Sequence, residues 1–182
     1  MFKSALAASV IALAAALPAA AVTISDYVPG AAATSAHIYV ANDGPVTVTY
    51  IGSDAANYNF GFYVRDGADQ PLFFNKVDTF GKTVTLEGLF AKGTELVFSL
   101  NSYGSSPTTF LTGTNYARAG LVADKGFMVA FEDTIAGDFD YNDFVFGVTN
   151  VTNELPAVPL PAALPLMASA FGGFALFRRR RG

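Results

Sequence analysis

The sequence predicts an all-β fold, an antiparallel β-sandwich of jelly-roll type, and three observations carry that expectation. Short segments rich in β-branched and aromatic residues recur through the middle of the 182-residue chain, several alternating apolar with polar or small positions. Turn-forming residues separate them at close intervals. No long amphipathic stretch of helical period lies between them, so strands have other strands as neighbours. Composition agrees: 17 Phe, 17 Gly and 8 Tyr with only 14% charged residues suit a turn-rich β domain better than a helical bundle.

In chain order, residues 1–21 have the parts of a secretory signal peptide: Lys3 near the start, an apolar run from Ala5 to Leu17, and Pro18-Ala19-Ala20-Ala21. The small residues Ala19 and Ala21 place the expected cut after Ala21. Residues 22–34, with Pro29-Gly30 and an alanine run, read as an N-terminal linker. The sandwich domain is expected over residues 35–151. Its strands are read at His37 to Val40, Val46 to Ile51, Asn59 to Val64, Leu72 to Phe74, Thr83 to Leu86, Glu95 to Leu100, Gly126 to Phe131 and Phe144 to Val148. Turn chemistry punctuates them at Asn42-Asp43-Gly44-Pro45, Arg65-Asp66-Gly67, Lys92-Gly93 and Asn101-Ser102-Tyr103-Gly104. Residues 152–157 combine polar breakers with Pro156 and read as a stalk.

The tail, residues 158–182, starts with Val158-Pro159-Leu160-Pro161-Ala162, continues as an apolar run to Phe177 and ends in Arg178, Arg179, Arg180, Arg181 and Gly182. No charged residue occurs over the 23 positions from Leu155 to Phe177. Such a length crosses the roughly 30 Å hydrocarbon core of a bilayer as a helix. The four arginines then hold the far end in the cytoplasm, because cations cross poorly and bind anionic inner-leaflet lipid. With a signal peptide in front, the middle of the chain is expected outside the cytoplasmic membrane.

Charge and cysteine content narrow the function classes. All 15 acidic residues lie between Asp26 and Glu154, where only six basic ones occur, a formal balance of −9. An acidic middle repels phosphate backbones and attracts cations, so nucleic acid is excluded as a partner. The absence of cysteine removes disulfides, thiolate metal sites and cysteine nucleophiles, and leaves a bound metal as the available staple for an exported domain. His37, the single histidine, sits in an apparent strand, and no serine elbow, phosphate-binding glycine loop or zinc-ligand set occurs. A non-enzymatic protein is expected.

One stretch concentrates chemistry. Glu132, Asp133, Asp138, Asp140 and Asp143, with Asn142, fall within 12 residues between two apolar strands. Like charges at this density need solvent or a cation. Ca2+ takes six to eight hard oxygen ligands, and alternating Asp138, Asp140 and Asn142 lets a turning backbone aim oxygens at one point. An EF-hand is excluded: from Asp138 as first position, the sixth is Asp143 instead of Gly, and the twelfth is Thr149 instead of Glu. The competing reading is an Asx-turn network that caps a hairpin, with the other carboxylates solvated.

Glu132-Asp133 followed by Gly137-Asp138-Phe139-Asp140-Tyr141-Asn142-Asp143-Phe144-Val145-Phe146 resembles the signature of a bacterial surface-protein domain of unknown function, E-D…G-D-x-D-Y-N-D and a hydrophobic strand. Gly61-Phe62-Tyr63 and Gly93-Thr94-Glu95-Leu96-Val97-Phe98 match two weaker strand motifs of that family, over roughly Tyr58 to Thr149. The resemblance implies a secreted or surface-attached β-sandwich whose acidic motif binds Ca2+ through Glu132, Asp133, Asp138, Asp140, Asn142 and Asp143, with Asp138, Asp140 and Asp143 foremost. The tail resembles the VPLPA variant of the PEP-CTERM sorting signals, matching all three parts in order. That resemblance implies processing by an exosortase-type membrane enzyme, after a transient hold in the cytoplasmic membrane, and release to the envelope or outside. Pro159 and Pro161 keep the motif extended and helix-free where such an enzyme would bind.

The expectation is therefore an exported cell-surface or extracellular-matrix protein with a Ca2+-binding acidic loop. The alternative is a glycan-binding module that recognises extracellular polysaccharide, using Tyr103, Tyr116 and Tyr141 in or beside loops as stacking platforms.

Overall fold

The computed structural model describes residues 23–154. The signal peptide of residues 1–21 and the sorting tail of residues 158–182 lie outside the described residues, as does the second half of the stalk, residues 155–157. Eleven strands follow two short 3-10 turns, Ile24–Tyr27 and Ala31–Ala33: β1 Ile38–Val40, β2 Thr47–Gly52, β3 Tyr58–Arg65, β4 Ala68–Phe74, β5 Thr83–Thr85, β6 Glu95–Tyr103, β7 Thr108–Leu111, β8 Ala117–Val122, β9 Gly126–Phe131, β10 Phe144–Val148 and β11 Val151–Thr152. Among the described residues no helix is long and apolar enough to cross a membrane.

The strands form two antiparallel sheets. One has the order β11-β1-β6-β3-β4, with β7 also paired to β6; the other has the order β5-β2-β10-β9-β8. Alternation sets which side of each strand is buried. In β3, Asn59, Gly61 and Tyr63 point inward while Tyr58, Phe60 and Phe62 point outward. The β3–β4 connection is a two-residue loop closed by the Arg65–Ala68 pair, in which Asp66 and Gly67 have φ of 52° and 78°. Asp-Gly supplies the double positive φ that the twist of a hairpin favours.

The inner faces meet in an aromatic core. Phe98 and Phe146, from opposite sheets, have ring centroids 5.2 Å apart, and Tyr50 and Phe73 stand 5.3 Å apart across the same gap. Phe146 also neighbours Phe73, Phe131 and Phe144, each at 6.3 Å. Gly61 has no room for a side chain: a Cβ there would come within 2.6 Å of the Phe144 ring. The missing methyl lets the two sheets approach beside the loop that follows β9.

All five residues of β10 are buried, because the second sheet is covered on its outer face as well. Residues 23–34, read from the sequence as a linker, supply that cover. Ile24, Tyr27 and Val28 join Ile51, Met128, Ala130, Tyr141 and Val145 in a second, smaller apolar cluster. Gly120 in β8 admits this segment, since a Cβ there would lie 3.1 Å from that of Ala33. The backbone N–H of Ser35 donates to Ala117 O at 3.0 Å. Thr152, the first residue read as stalk, pairs with Tyr39.

Replacing Phe146 with Ala should cost about 3–5 kcal/mol, the usual penalty for an aromatic lost from a core. Gly61→Val should cost about 1–3 kcal/mol by overpacking. Urea denaturation followed by far-ultraviolet circular dichroism reads both, and a midpoint unmoved by either change would mean the sheets do not pack as described.

Candidate metal centre

The acidic stretch connects β9 to β10, so both of its ends leave central strands of the second sheet. Glu132 follows β9 directly, its N–H donating to Tyr116 O at 3.0 Å, and its side chain is fully buried. Oε1 accepts the Tyr141 N–H at 2.6 Å, while Oε2 has no hydrogen-bond partner among the described residues. That bare oxygen lies against Gly137, where any Cβ would collide with it.

The loop returns on itself through two left-handed residues, Phe139 at φ 57° and Tyr141 at φ 61°. Each costs roughly 1–2 kcal/mol at a non-glycine position. The conformation brings Asp138 and Asp140 back to Glu132, and one oxygen from each of the three carboxylates lies within 4.8 Å of the others. Such a cluster can hold a metal ion. Burial raises the pKa of Glu132 and the charges of Asp138 and Asp140 add to the rise, while the amides of Tyr141 and Phe139 oppose it.

Tyr141 locks the turn. Its ring is buried in the smaller apolar cluster, its hydroxyl donates to Asn115 O at 2.7 Å, and the Arg118 guanidinium stacks 4.0 Å from the ring centroid. Arg118 in turn donates from Nε to Thr34 Oγ1 at 3.2 Å and from Nη1 to Pro29 O at 3.5 Å. On the far side, Tyr116 donates its hydroxyl to Ile135 O at 3.3 Å and stacks on Phe139, with centroids 6.2 Å apart.

The six residues singled out by sequence therefore divide. Glu132, Asp138 and Asp140 converge. Asn142 turns back on Asp140, its backbone N–H donating to Oδ1 at 3.1 Å and its side-chain amide to Oδ2, so an Asx turn coexists with the carboxylate cluster. Asp133 and Asp143 face the sandwich interior instead. Asp133 accepts Asn59 Nδ2 at 2.9 Å and Thr134 Oγ1 at 2.8 Å, and its own N–H donates to Asp143 Oδ2 at 3.0 Å. Ser53 donates to the Asp143 carbonyl.

Sequence reading missed Asn59, which is fully buried and joins β3 to the acidic loop. Its signal was present: a polar residue at an inward strand position demands a partner. Of the tyrosines proposed for stacking, Tyr141 is buried under Arg118 and offers no face, Tyr116 is half-buried, and Tyr103 is exposed. His37 lies just before β1 and not in the strand expected for it, and it bonds Glu95 of β6 at 2.6 Å, in the sheet that the acidic loop does not extend from.

Burial pushes the Asp143 pKa up to about 7, helped by the charges of Asp133, Glu132 and Asp140 and opposed by the Asp133 amide. Between the ordinary value of 3.8 and about 7, the folded chain retains a proton that the unfolded chain has lost. Stability without metal should therefore fall as pH rises through that window. Urea midpoints in chelator at pH 5 and pH 7.5 check this, and Asp143→Asn should flatten the difference; a midpoint that rises with pH would contradict it.

Comparison of the chain with protein-family models, with curated proteins and with solved structures finds no match.

Proposed function

We propose that the protein is an exported, non-enzymatic component of the cell surface or extracellular matrix whose fold is stabilised by Ca2+ in the β9–β10 loop. The observation that carries the metal reading is Glu132: a fully buried carboxylate with one oxygen bare, facing Asp138 and Asp140. A half-satisfied buried charge beside two like charges costs several kcal/mol unless neutralised. A cation removes the repulsion and the missing contact together.

The donor set argues for a hard ion. All three groups are carboxylates and the chain has no cysteine, which disfavours soft metals. Ca2+ holds oxygens at about 2.3–2.6 Å, so ligands on opposite sides stand about 5 Å apart, which suits a cluster spanning up to 4.8 Å. Mg2+ holds ligands at about 2.0–2.1 Å in strict octahedra and keeps its waters, a poorer fit to three protein carboxylates. The same spacing speaks for a structural role: a glycosidase pair flanks its substrate at about 5–9.5 Å, whereas these oxygens converge on one point.

We read the two sheets as a sandwich of jelly-roll type, supported by how often the chain changes sheet: between β1 and β2, β2 and β3, β4 and β5, β5 and β6, β7 and β8, and β10 and β11. Export and sorting rest on the termini. Residues 1–21 direct secretion, the apolar run before Phe177 and Arg178 to Arg181 stop the chain in the cytoplasmic membrane, and an exosortase-type enzyme cuts near Val158 to Ala162.

Ca2+ at a hundred times its Kd should stabilise the protein by about 2.7 kcal/mol, a rise in Tm of roughly 10 °C for a domain this size. Glu132→Gln should have opposite effects in the two conditions. In chelator it should raise Tm, because a buried charge is gone; with Ca2+ it should abolish the rise. An unchanged melt in saturating Ca2+ for both wild type and Asp140→Ala would end the metal reading. For sorting, mass spectrometry of the mature protein should find a new N-terminus at Val22 and no Arg178 to Arg181. A mature C-terminus still at Gly182 would make the protein a simple membrane-tethered domain.

A further inference from the structure

The loop that gathers the three carboxylates shares its end of the sandwich with other loops. The end of β6 pairs with the start of β3, Tyr103 with Tyr58, and the end of β9 pairs with the start of β10, Phe131 with Phe144. The β2–β3, β4–β5, β6–β7 and β9–β10 connections therefore lie at one end. The β2–β3 loop ties its neighbours together. The Asp54 N–H donates to Asn142 O at 3.1 Å, Asn75 Nδ2 donates to Asn57 O at 2.9 Å, and Lys76 Nζ donates to Ala55 O at 2.8 Å.

Large hydrophobic side chains are exposed unevenly over the molecule. Of nine such residues among the described ones, Tyr58, Val77, Phe80, Tyr103, Ile135 and Phe139 belong to this end, while Leu89, Leu111 and Leu121 lie elsewhere. Scattered singly they would need no explanation, but gathered at one end they mark an interaction surface. Two of them flank the carboxylates. Phe139 stands between Asp138 and Asp140 in the chain and stacks on Tyr116, whose hydroxyl donates to Ile135 O at 3.3 Å. Ile135 is 61% exposed, and Val77, on the loop tied alongside, is 70% exposed.

We propose that this end docks on an anionic phospholipid surface, with Ca2+ held by Glu132, Asp138 and Asp140 bridging to lipid phosphate and with Ile135, Phe139 and Val77 entering the headgroup layer. The inference rests on the Ca2+ reading of the cluster and adds its partner. Glu132, fully buried with Oε2 bare, supplies the inner side of the site. Ca2+ takes about six to eight oxygens, whereas three carboxylates offer two each and one of these already bonds the Tyr141 N–H. Asp138 and Asp140 are exposed, so the remaining coordination faces solvent and accepts an oxygen from outside. Between Asp26 and Glu154 the chain carries six basic against fifteen acidic residues, so an anionic surface is repelled until the ion is in place. The apolar side chains select lipid over an acidic polysaccharide, which has no hydrocarbon to take them. A protein partner would want one continuous face, and these residues sit on separate loops. Lipid is also close at hand. With residues 158–182 read as a membrane stop, residues 155–157 alone separate it from Glu154, and at about 3.3–3.6 Å per extended residue they reach roughly 10 Å.

The chain has no tryptophan, so one introduced at Ile135 reports its surroundings without background. Full-length Ile135→Trp is reconstituted in phosphatidylcholine vesicles with or without phosphatidylglycerol, each with and without brominated acyl chains. With phosphatidylglycerol present, Ca2+ should shift the emission to the blue and the brominated lipid should quench it; in chelator, or in phosphatidylcholine alone, neither should happen. Leu89→Trp, at the opposite end of the sandwich, should stay unquenched throughout, and Asp140→Asn should remove the response at Ile135→Trp. Because ion and lipid favour the same bound state, half-saturating Ca2+, read from the Tm, should fall about tenfold when phosphatidylglycerol is added. Should Ile135→Trp fail to fold, Val77→Trp reads the same contact. Quenching that is absent in Ca2+, persists in chelator, survives Asp140→Asn or is equal at Leu89→Trp overturns the proposal. So does a Ca2+-dependent blue shift produced by an oligogalacturonate added to phosphatidylcholine vesicles, which would make the partner an acidic glycan. A Tm that rises with Ca2+ in phosphatidylcholine, without quenching in phosphatidylglycerol, refutes the docking alone. A Tm that ignores Ca2+ in both refutes the metal centre and the bridge with it.

Discussion

The burial of Glu132 is the constraint around which this end of the sandwich is arranged. Its carboxylate sits where a hydrophobic side chain would ordinarily cap β9, with one oxygen bonded to the Tyr141 amide and the other bare. Several otherwise unfavourable features serve to keep it there. Gly137 leaves space for the bare oxygen, and Phe139 and Tyr141 accept left-handed backbone so that the loop returns over it. Asp138 and Asp140 are then carried to the same point, against their mutual repulsion. Remove the carboxylate and none of these local costs has a purpose.

What holds the loop in this conformation is mostly apolar. Tyr141 is buried among Tyr27, Ile51, Met128, Ala130 and Val145, and burying a large aromatic side chain contributes about 2–3 kcal/mol, comparable with the backbone strain at two left-handed residues. Arg118 closes the arrangement by stacking on Tyr141 and bonding Thr34 and Pro29. The N-terminal segment is thus a structural part of the acidic loop's support. Since the covering cluster includes Tyr27 as well as Tyr141, loosening the segment would also loosen the carboxylates.

How much of this was legible in the sequence depended on whether a signal was local. Strands β9 and β10 were readable residue for residue, as dense apolar runs bounded by turn residues, and the Asp66-Gly67 hairpin was readable from turn chemistry. Strands β7, β8 and β11 were not. In β8, Ala117, Ala119 and Gly120 are small because other groups pack directly on them, so the pattern lacks the β-branched and aromatic residues that mark a strand. In β7, Phe110 is the single fully buried residue, and β11 is two residues long. The acidic loop was legible as a concentration of ligand-type residues, but not its division. That Asp143 faces the interior and not the carboxylate cluster follows from its Oδ2 accepting the Asp133 N–H and its carbonyl accepting from Ser53, 90 positions away.

That division bears on how metal and fold are coupled. Tyr141, Arg118 and Asn59 hold the loop through contacts of their own, and the loop so held brings the three carboxylates together. In the unfolded chain the same groups are dispersed, because Glu132 meets Asp138 and Asp140 only through the left-handed turns. A cation that finds its site assembled in the folded state and absent in the unfolded one adds its binding free energy to stability. For a domain with no disulfide, the proposed ion would supply from outside the kind of cross-link that cysteines would otherwise supply from within. Under the proposed Ca2+ binding, the repulsion among Glu132, Asp138 and Asp140 would lower stability when the ion is scarce and be cancelled when it is abundant.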